Sequence, residues 1–357
     1  MFSKGAKAGI AESQLRKAVP NALFVDEHHA RIESVPEGVM RPRWSVLIPC
    51  YNCAAFLEKT LQSVLGQDPG PAGMEIMVID DCSDRDDPAA VVDRIAGNRV
   101  QFFRQQANVG TVRNYETGLH ACRGQLVHQL HGDDLVLPGF YREMETAFRR
   151  FPQAGAFFCE SDYIDEAGKV VGNTGKELAE TGILDNWLPR IAQAQRIQTP
   201  AMVVRREVYE ALGGFDRRLD CSEDWEMWIR IASRYPVGFC ATARAQYRTS
   251  AGNNTSRSIV RGTLGRTQRA MFDIVDGYLP PSLVASIRKP RAVKLALDFC
   301  GHLPKAIDRG GFREWLRLCR EIARFHCGPT ALRRAASLTV RHLWKKRAGQ
   351  FRRSART

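Results

Sequence analysis

The sequence lacks any run approaching the ~18 to 20 apolar residues that cross a bilayer; its longest apolar stretches, SVLIPCY and MEIMVID, have strand length. Contact with a membrane is therefore expected only at its surface. The opening residues MFSKGAKAGIAESQLRKAVPN have no apolar core of a secretory leader, and the ten cysteines fall between Cys50 and Cys327 without regular spacing. Both absences lead to the expectation of reduced thiols and a cytoplasmic protein. No Gly-x-Gly-x-x-Gly follows the first apolar run, which removes the dinucleotide fingerprint. Acidic residues are scarce near the C-terminus: residues 281–357 hold 19 Lys/Arg against 4 Asp/Glu, a local +15 within an overall +13, so the first 280 residues stand at −2. The tail is the polycation, and since no nucleic-acid reading motif accompanies it, nucleic acid is not an expected partner.

What is present fills a core: 357 residues, 44% hydrophobic and 9% aromatic, enough for one large globular domain or two modest ones. Residues 1–43 show no sustained period and end in the linker-like PEGVMRPR, an extension that packs loosely or caps an edge. At Trp44 the character changes. WSVLIP reads as a buried strand, CAAFLEKTLQSVLGQ as an amphipathic helix and MEIMVIDD as a second buried strand. They are followed by a helix near Pro88–Ile95, the strand RVQFF, a helix from about Val112 to Cys122, and the strand QLVHQL. Such alternation implies βαβ units, a Rossmann-like α/β domain with a mostly parallel central sheet covered on both faces. Further strands and helices run to about Ser256, after which the pattern is helical only. Residues 44–256 are thus expected to form the catalytic domain, and 257–357 a basic α-helical C-terminal region.

Ligands of parallel sheets bind at the carboxyl ends of the strands, so the residues there are the ones that can carry chemistry. His131-Gly132-Asp133-Asp134 follows an apolar strand. Adjacent carboxylates there suit a hard divalent cation, Mg²⁺ or Mn²⁺, that also grips a diphosphate; the competing reading is an N-cap for the following LPGFYREMETAF helix. Asp80 and Asp81 end the second strand, where a carboxylate can accept from a base N–H or a ribose hydroxyl, or simply make an Asx-turn. Glu223-Asp224 opens a helix, either as a general base or as a dipole partner. Without a glycine-rich loop, the phosphates need another source of positive charge, which favours a metal.

The ordered series SVLIPCYN, EIMVIDDCSD, NVGTVRN, GQLVHQLHGDD with LPGFY, GGFD and SEDWEMWIRIA resembles the inverting family 2 glycosyltransferases of the GT-A fold, over Trp44 to about Ser256. The resemblance implies that Pro49 and Tyr51 form part of a nucleotide pocket, with Asp81 reading the base, Asp80 beside it, and Asn108, Gly110 and Arg113 on its border. It makes Asp133 the metal ligand, with Asp134 its neighbour. His131 stands where the first acid of Asp-x-Asp is usual, and an imidazole there can hydrogen-bond a ribose hydroxyl or, when neutral, take part in metal binding. Asp224 matches the catalytic base, with Glu223 adjacent. No Gln-x-x-Arg-Trp occurs, which favours a single addition over polymer synthesis, and Tyr247-Arg248-Thr249-Ser250 replaces a Tyr-Arg-x-His. Arg248 is read as a phosphate contact or a solvated arginine.

The function implied is transfer of one sugar from a nucleoside-diphosphate donor, UDP-linked, to a hydroxyl of a glycan or lipid-linked acceptor in cell-surface polysaccharide assembly. Two other classes stay open: a sugar-nucleotide binding protein without turnover, and a nucleotidyltransferase on a related sheet. Cys50-x-x-Cys53 has redox spacing but sits inside the PCYN stretch. Asn253 and Asn254 satisfy the glycosylation sequon without a secretion signal. Trp225 and Trp228 are read as core and acceptor-wall residues or a sugar platform. In the tail, Leu332, Ala336, Val340, Leu343 and Trp344 form an apolar stripe among Arg333, Arg334, Arg341, Lys345, Lys346 and Arg347. Such a helix lies on an anionic membrane surface, or packs on the catalytic domain.

Overall fold

The structure, a computed structural model, describes residues 26–249, 257–259 and 262–354. Strand β1 (Trp44–Cys50) and strand β2 (Met74–Asp80) are buried at every position, as expected of strands covered on both faces. Helix α1 (Ala54–Leu65) joins them and buries Leu57, Leu61 and Val64, one stripe at helical spacing. Helix α2 (Pro88–Ala96), β3 (Gln101–Arg104), α3 (Thr111–Ala121) and β4 (Leu126–Gln129) complete a wholly parallel half in the order β3-β2-β1-β4. Short β5 (Leu135–Val136), α4 (Phe140–Arg150), β6 (Ala156–Ile164), β7 (Val170–Asn173), β8 (Gly182–Ile183), α5 (Trp187–Ile191), β9 (Met202–Arg205), α6 (Arg206–Leu212), α7 (Glu223–Ala232) and β10 (Val237–Arg248) follow. β9 runs antiparallel between β4 and β6, and joins the first half to the parallel pair β6–β10.

The pleat divides the core into two. Val46, Ile48, Ile76 and Val78 face one apolar cluster with α1 and α4, while Leu47, Met77 and Ile79 face another with α3, α5, α6 and α7. Because β1, β2 and β4 are parallel, their carboxyl ends share one edge, where Cys50 is in register with Asp80 and Leu47 with Gln129.

Of residues 1–43, expected to pack loosely or to cap an edge, Ala30 and Ile32 are buried in the second cluster, and the Ala30 carbonyl accepts from Gly214 N–H at 2.8 Å. The C-terminal helices are α8 (Leu264–Tyr278), α9 (Pro281–Cys300), α10 (Leu303–Phe325) and α11 (Pro329–Ser354); Leu264, Ala296, Phe299, Cys300, Leu303, Ile322 and Ala331 build a cluster of their own among them, and α8 also packs on the preceding domain. Met271, Phe272 and Val275 of α8 join the second cluster, with Phe272 edge-on to Trp225 at 5.1 Å between ring centres. The boundary placed at 256 falls outside the described residues, as do Ser250, Asn253 and Asn254.

Among the described residues no helix is long and apolar enough to cross a membrane. Helix α11 packs through Ala331, Ala335 and Leu338, with Trp315 Nε1 donating to the Thr339 hydroxyl at 2.9 Å. Its expected apolar stripe therefore points away from the protein: Trp344 is 74% exposed and Val340 62%.

Candidate active site

Asp81 follows β2 and is buried. Its Oδ1 accepts from Val109 N–H at 2.7 Å and its Oδ2 from Gly110 N–H at 3.0 Å, while Asn108 Nδ2 donates to the Asp81 carbonyl at 3.1 Å. The residue thus fixes the loop that enters α3, where Gly110 takes φ 84°, a conformation an L side chain resists. Burial raises the Asp81 pKa against the lowering effect of those two N–H groups. Asp80 faces inward instead. It has no exposed surface, accepts from Ser83 N–H, and lies 3.6 Å from Arg104 Nε. Its geometry is that of a turn-holding residue, and it does not line the open edge.

Tyr51 and Asn52 continue β1 into the same edge. Asn52 sits at φ 53° and its Oδ1 accepts from Asp84 and Arg85 N–H groups at 3.1 and 3.0 Å. Pro49 is buried, and its carbonyl accepts from Gly132 N–H at 3.0 Å, tying β1 to the segment after β4. Gly132 is required by space, since a Cβ there would lie 2.6 Å from Cys53 Sγ. Cys50 and Cys53 are free thiols with sulfurs 3.0 Å apart. Asn108 and Arg113 are exposed on the border of this edge.

His131, Asp133 and Asp134 come together: one ligand atom from each lies within 4.8 Å of the others. Neither Asp caps a helix, because α4 starts at Phe140 after Gly139, so the capping reading fails. Asp134 is fully buried. Its Oδ1 accepts from Arg248 N–H at 2.8 Å, and its Oδ2 has no hydrogen-bond partner among the described residues. Burial raises the pKa of Asp133 and, with the charge of Asp133 added, that of Asp134. A buried carboxylate oxygen without a donor is costly unless a cation answers it, so the chemistry of this cluster fits a divalent metal.

Arg248 is not a solvated arginine. It is 1% exposed, donates to the carbonyls of Asp133 and Asp165 at 2.8 Å each, and lies over the Phe56 ring at 4.6 Å. It is a buried strut that holds the Asp133-Asp134 backbone. Trp225 and Trp228 are likewise core, 2% and 1% exposed, with Trp225 Nε1 donating to the Ile191 carbonyl at 2.7 Å, so neither offers a sugar platform.

Glu223 and Asp224 occupy the first turn of α7, entered through Ser222 at φ 68°. Asp224 is half-buried. Its Oδ1 accepts from Trp225 N–H at 2.7 Å, and its Oδ2 from the Thr199 hydroxyl at 3.0 Å and Gln195 Nε2 at 3.3 Å. Burial pushes its pKa up to about 6 against those hydrogen bonds. Glu223 is buried, and desolvation together with the Asp224 charge pushes it to about 8.

Sequence reasoning missed Gln195, Thr199 and Tyr115. Tyr115 is the hub: its buried hydroxyl feels the charges of Glu223, Asp224, Asp133 and Asp134, all of which raise its pKa after burial itself. The strand-tip cluster and the α7 acids therefore share one site. Tyr115 carried no signal because Val112, Tyr115 and Leu119 read as one apolar helix face.

A β3-β2-β1-β4 parallel edge with a buried acid after β2, a metal-competent cluster after β4 and a carboxylate pair on a later helix is the architecture of an α/β protein of the GT-A type. Residues 45–213 match the family described as Glycosyl transferase family 2, and the chain belongs to that family. It is 30% identical over 266 residues to an uncharacterized protein of Mycobacterium tuberculosis (strain CDC 1551 / Oshkosh), covering 68% of this chain and 79% of that one. It is 25% identical over 210 residues to the O-antigen biosynthesis protein RfbC of Myxococcus xanthus, covering 57% of this chain and 16% of that much longer protein. In fold it resembles S. aureus TarS 1-349 in complex with UDP-GlcNAc, with a TM-score of 0.60 at 15% identity, over 79% of this chain and 81% of the other.

Proposed function

We propose that this protein is an inverting transferase that moves a single sugar from a UDP-sugar to a hydroxyl of a glycan or lipid-linked acceptor during cell-surface polysaccharide assembly. The observation that carries this reading is the meeting of two acid groups around Tyr115: the His131/Asp133/Asp134 cluster and the Glu223-Asp224 pair. The UDP-GlcNAc carried by the TarS fold relative and the O-antigen role of RfbC support the donor class and the setting.

In this reading Asp81 and the loop it holds, Asn108 to Gly110, meet the nucleoside, with Tyr51, Pro49 and Arg113 beside them. Asp133 and Asp134 would hold Mg²⁺ or Mn²⁺, which when bound would stabilise negative charge growing on the departing diphosphate. Asp224, ionised above about pH 6, accepts the proton of the acceptor hydroxyl as that oxygen bonds to the anomeric carbon. The bond from that carbon to the diphosphate oxygen breaks on the opposite face, and the configuration inverts. Glu223, held protonated near neutrality by burial and by Asp224, keeps a second charge away from the base.

The exposed stripe Leu332, Ala336, Val340, Leu343 and Trp344, flanked by Arg333, Arg334, Arg341, Lys345 and Lys346, supports peripheral binding to an anionic, cytoplasmic membrane face, where each basic residue adds ~1 kcal/mol. That position suits a lipid-linked acceptor.

The test is a panel of nucleotide sugars incubated with the protein, with and without Mn²⁺ or Mg²⁺. Metal-dependent release of a nucleoside diphosphate is expected; pyrophosphate would indicate nucleotidyl transfer, and no product from any donor would indicate a binding protein.

A further inference from the structure

His131 is held from one side. Its Nε2 lies 2.8 Å from the Tyr115 hydroxyl, and the two rings stack with 5.6 Å between centres and 18° between planes. The other nitrogen, Nδ1, points at the cluster, 3.7 Å from Asp134 Oδ2. That separation is too long for a hydrogen bond, and the facing oxygen is the buried one without a partner. A Tyr115 hydroxyl that accepts from Nε2–H leaves the lone pair of the neutral ring on Nδ1, facing Asp133 and Asp134.

We propose that His131 is itself a metal ligand through Nδ1, that Tyr115 is the positioning residue that fixes its tautomer through Nε2, and that the site therefore favours Mn²⁺ over Mg²⁺. This rests on the transferase reading only for the identity of the cation site. Imidazole suits transition metals, whereas Mg²⁺ takes oxygen donors. Partners of the distal ring nitrogen orient ligating histidines, and losing one typically costs ~10 to 100-fold in metal affinity.

The experiment measures Mn²⁺ and Mg²⁺ binding to the full chain, alone and with UDP, and records electron spin-echo envelope modulation of the bound Mn²⁺ for nitrogen coupling. The wild type is expected to show imidazole nitrogen coupling, and His131→Asp to lose it while gaining Mg²⁺ affinity relative to Mn²⁺. Tyr115→Phe keeps the stacked ring and is expected to lower Mn²⁺ affinity by ~10 to 100-fold with melting unchanged. Bound Mn²⁺ without nitrogen coupling, unchanged affinity in Tyr115→Phe, or no Mn²⁺ binding in either condition overturns the proposal. Failure of every donor to release a nucleoside diphosphate, with the nitrogen coupling intact, would overturn the transferase reading and leave this one standing.

Discussion

The Thr199 hydroxyl donates to Asp224 Oδ2 across 3.0 Å, from a segment of chain in which no periodic pattern can be read. This bond favours the ionised carboxylate, while burial opposes it and sets the pKa at about 6. A base must be ionised, so kcat/KM is expected to fall as pH drops through about 6. In Thr199→Val the lowering contribution is gone and the acid limb moves to higher pH: for a rise of about one pKa unit, activity falls ~10-fold on the acid limb near pH 5 and only ~2-fold at neutral pH. A limb that stays in place in the variant would separate Thr199 from the base.

Glu223 makes an opposite demand on stability. Its folded pKa, about 8, lies above the ~4.3 of an unfolded chain, so between these values the folded protein keeps a proton that the unfolded chain releases. By linkage, stability contributed by this group is full below the lower value and is lost as pH rises through the upper one. Glu223→Gln is expected to melt with the wild type near the lower limit and several degrees above it near the upper. Parallel melting curves across that range would contradict the buried, protonated state.

Gly132 touches the site through its missing side chain. Gly132→Ala places a Cβ 2.6 Å from Cys53 Sγ, which forces the His131–Asp134 segment outward. Nucleotide release is expected to fall ~100-fold, the cost of a misplacement of about 1 Å, and Cys53→Ala in the same chain should restore most of it. If the single variant is as active as the wild type, the close packing of this loop on the start of α1 plays no part in the site.

The tail stripe has its own readout. Sedimentation with anionic vesicles should carry the wild type and leave Val340→Ser/Leu343→Ser/Trp344→Ser in solution, with less binding at high salt because exposed charges are screened. Neutral vesicles should carry neither protein. Equal sedimentation of both proteins would remove the membrane role of α11.

The parallel half of the fold was legible because WSVLIPC and MEIMVID are apolar at all but Ser45, Glu75 and Asp80, a near-continuous run that half-exposed strands do not have. HGDD stood out because carboxylates that follow such a strand fall on the ligand edge. β10 was not legible: Arg244, Gln246 and Arg248 break its apolar character, and β6, whose Ala156 pairs with Val237 across a long stretch of chain, supplies the pairing that makes it a strand. The direction of β9 has no local signal either. Arg248 read as a surface residue because arginine usually is one, and only the carbonyls of Asp133 and Asp165 converging on it explain its burial. The tail stripe stands out as amphipathic, but the face that meets the protein is built on Ala331, Ala335 and Leu338, and its two alanines make little showing in a hydrophobic pattern.

The central claim is that Asp133 and Asp224 serve one transfer reaction from two sides of one site. Its most direct test is single-turnover release of UDP from the accepted donor by the wild type, Asp133→Asn and Asp224→Asn, with melting temperatures confirming intact folds. The account predicts metal-dependent release by the wild type and a loss of ~10² to 10⁴-fold in each variant. Full release by either variant would contradict it.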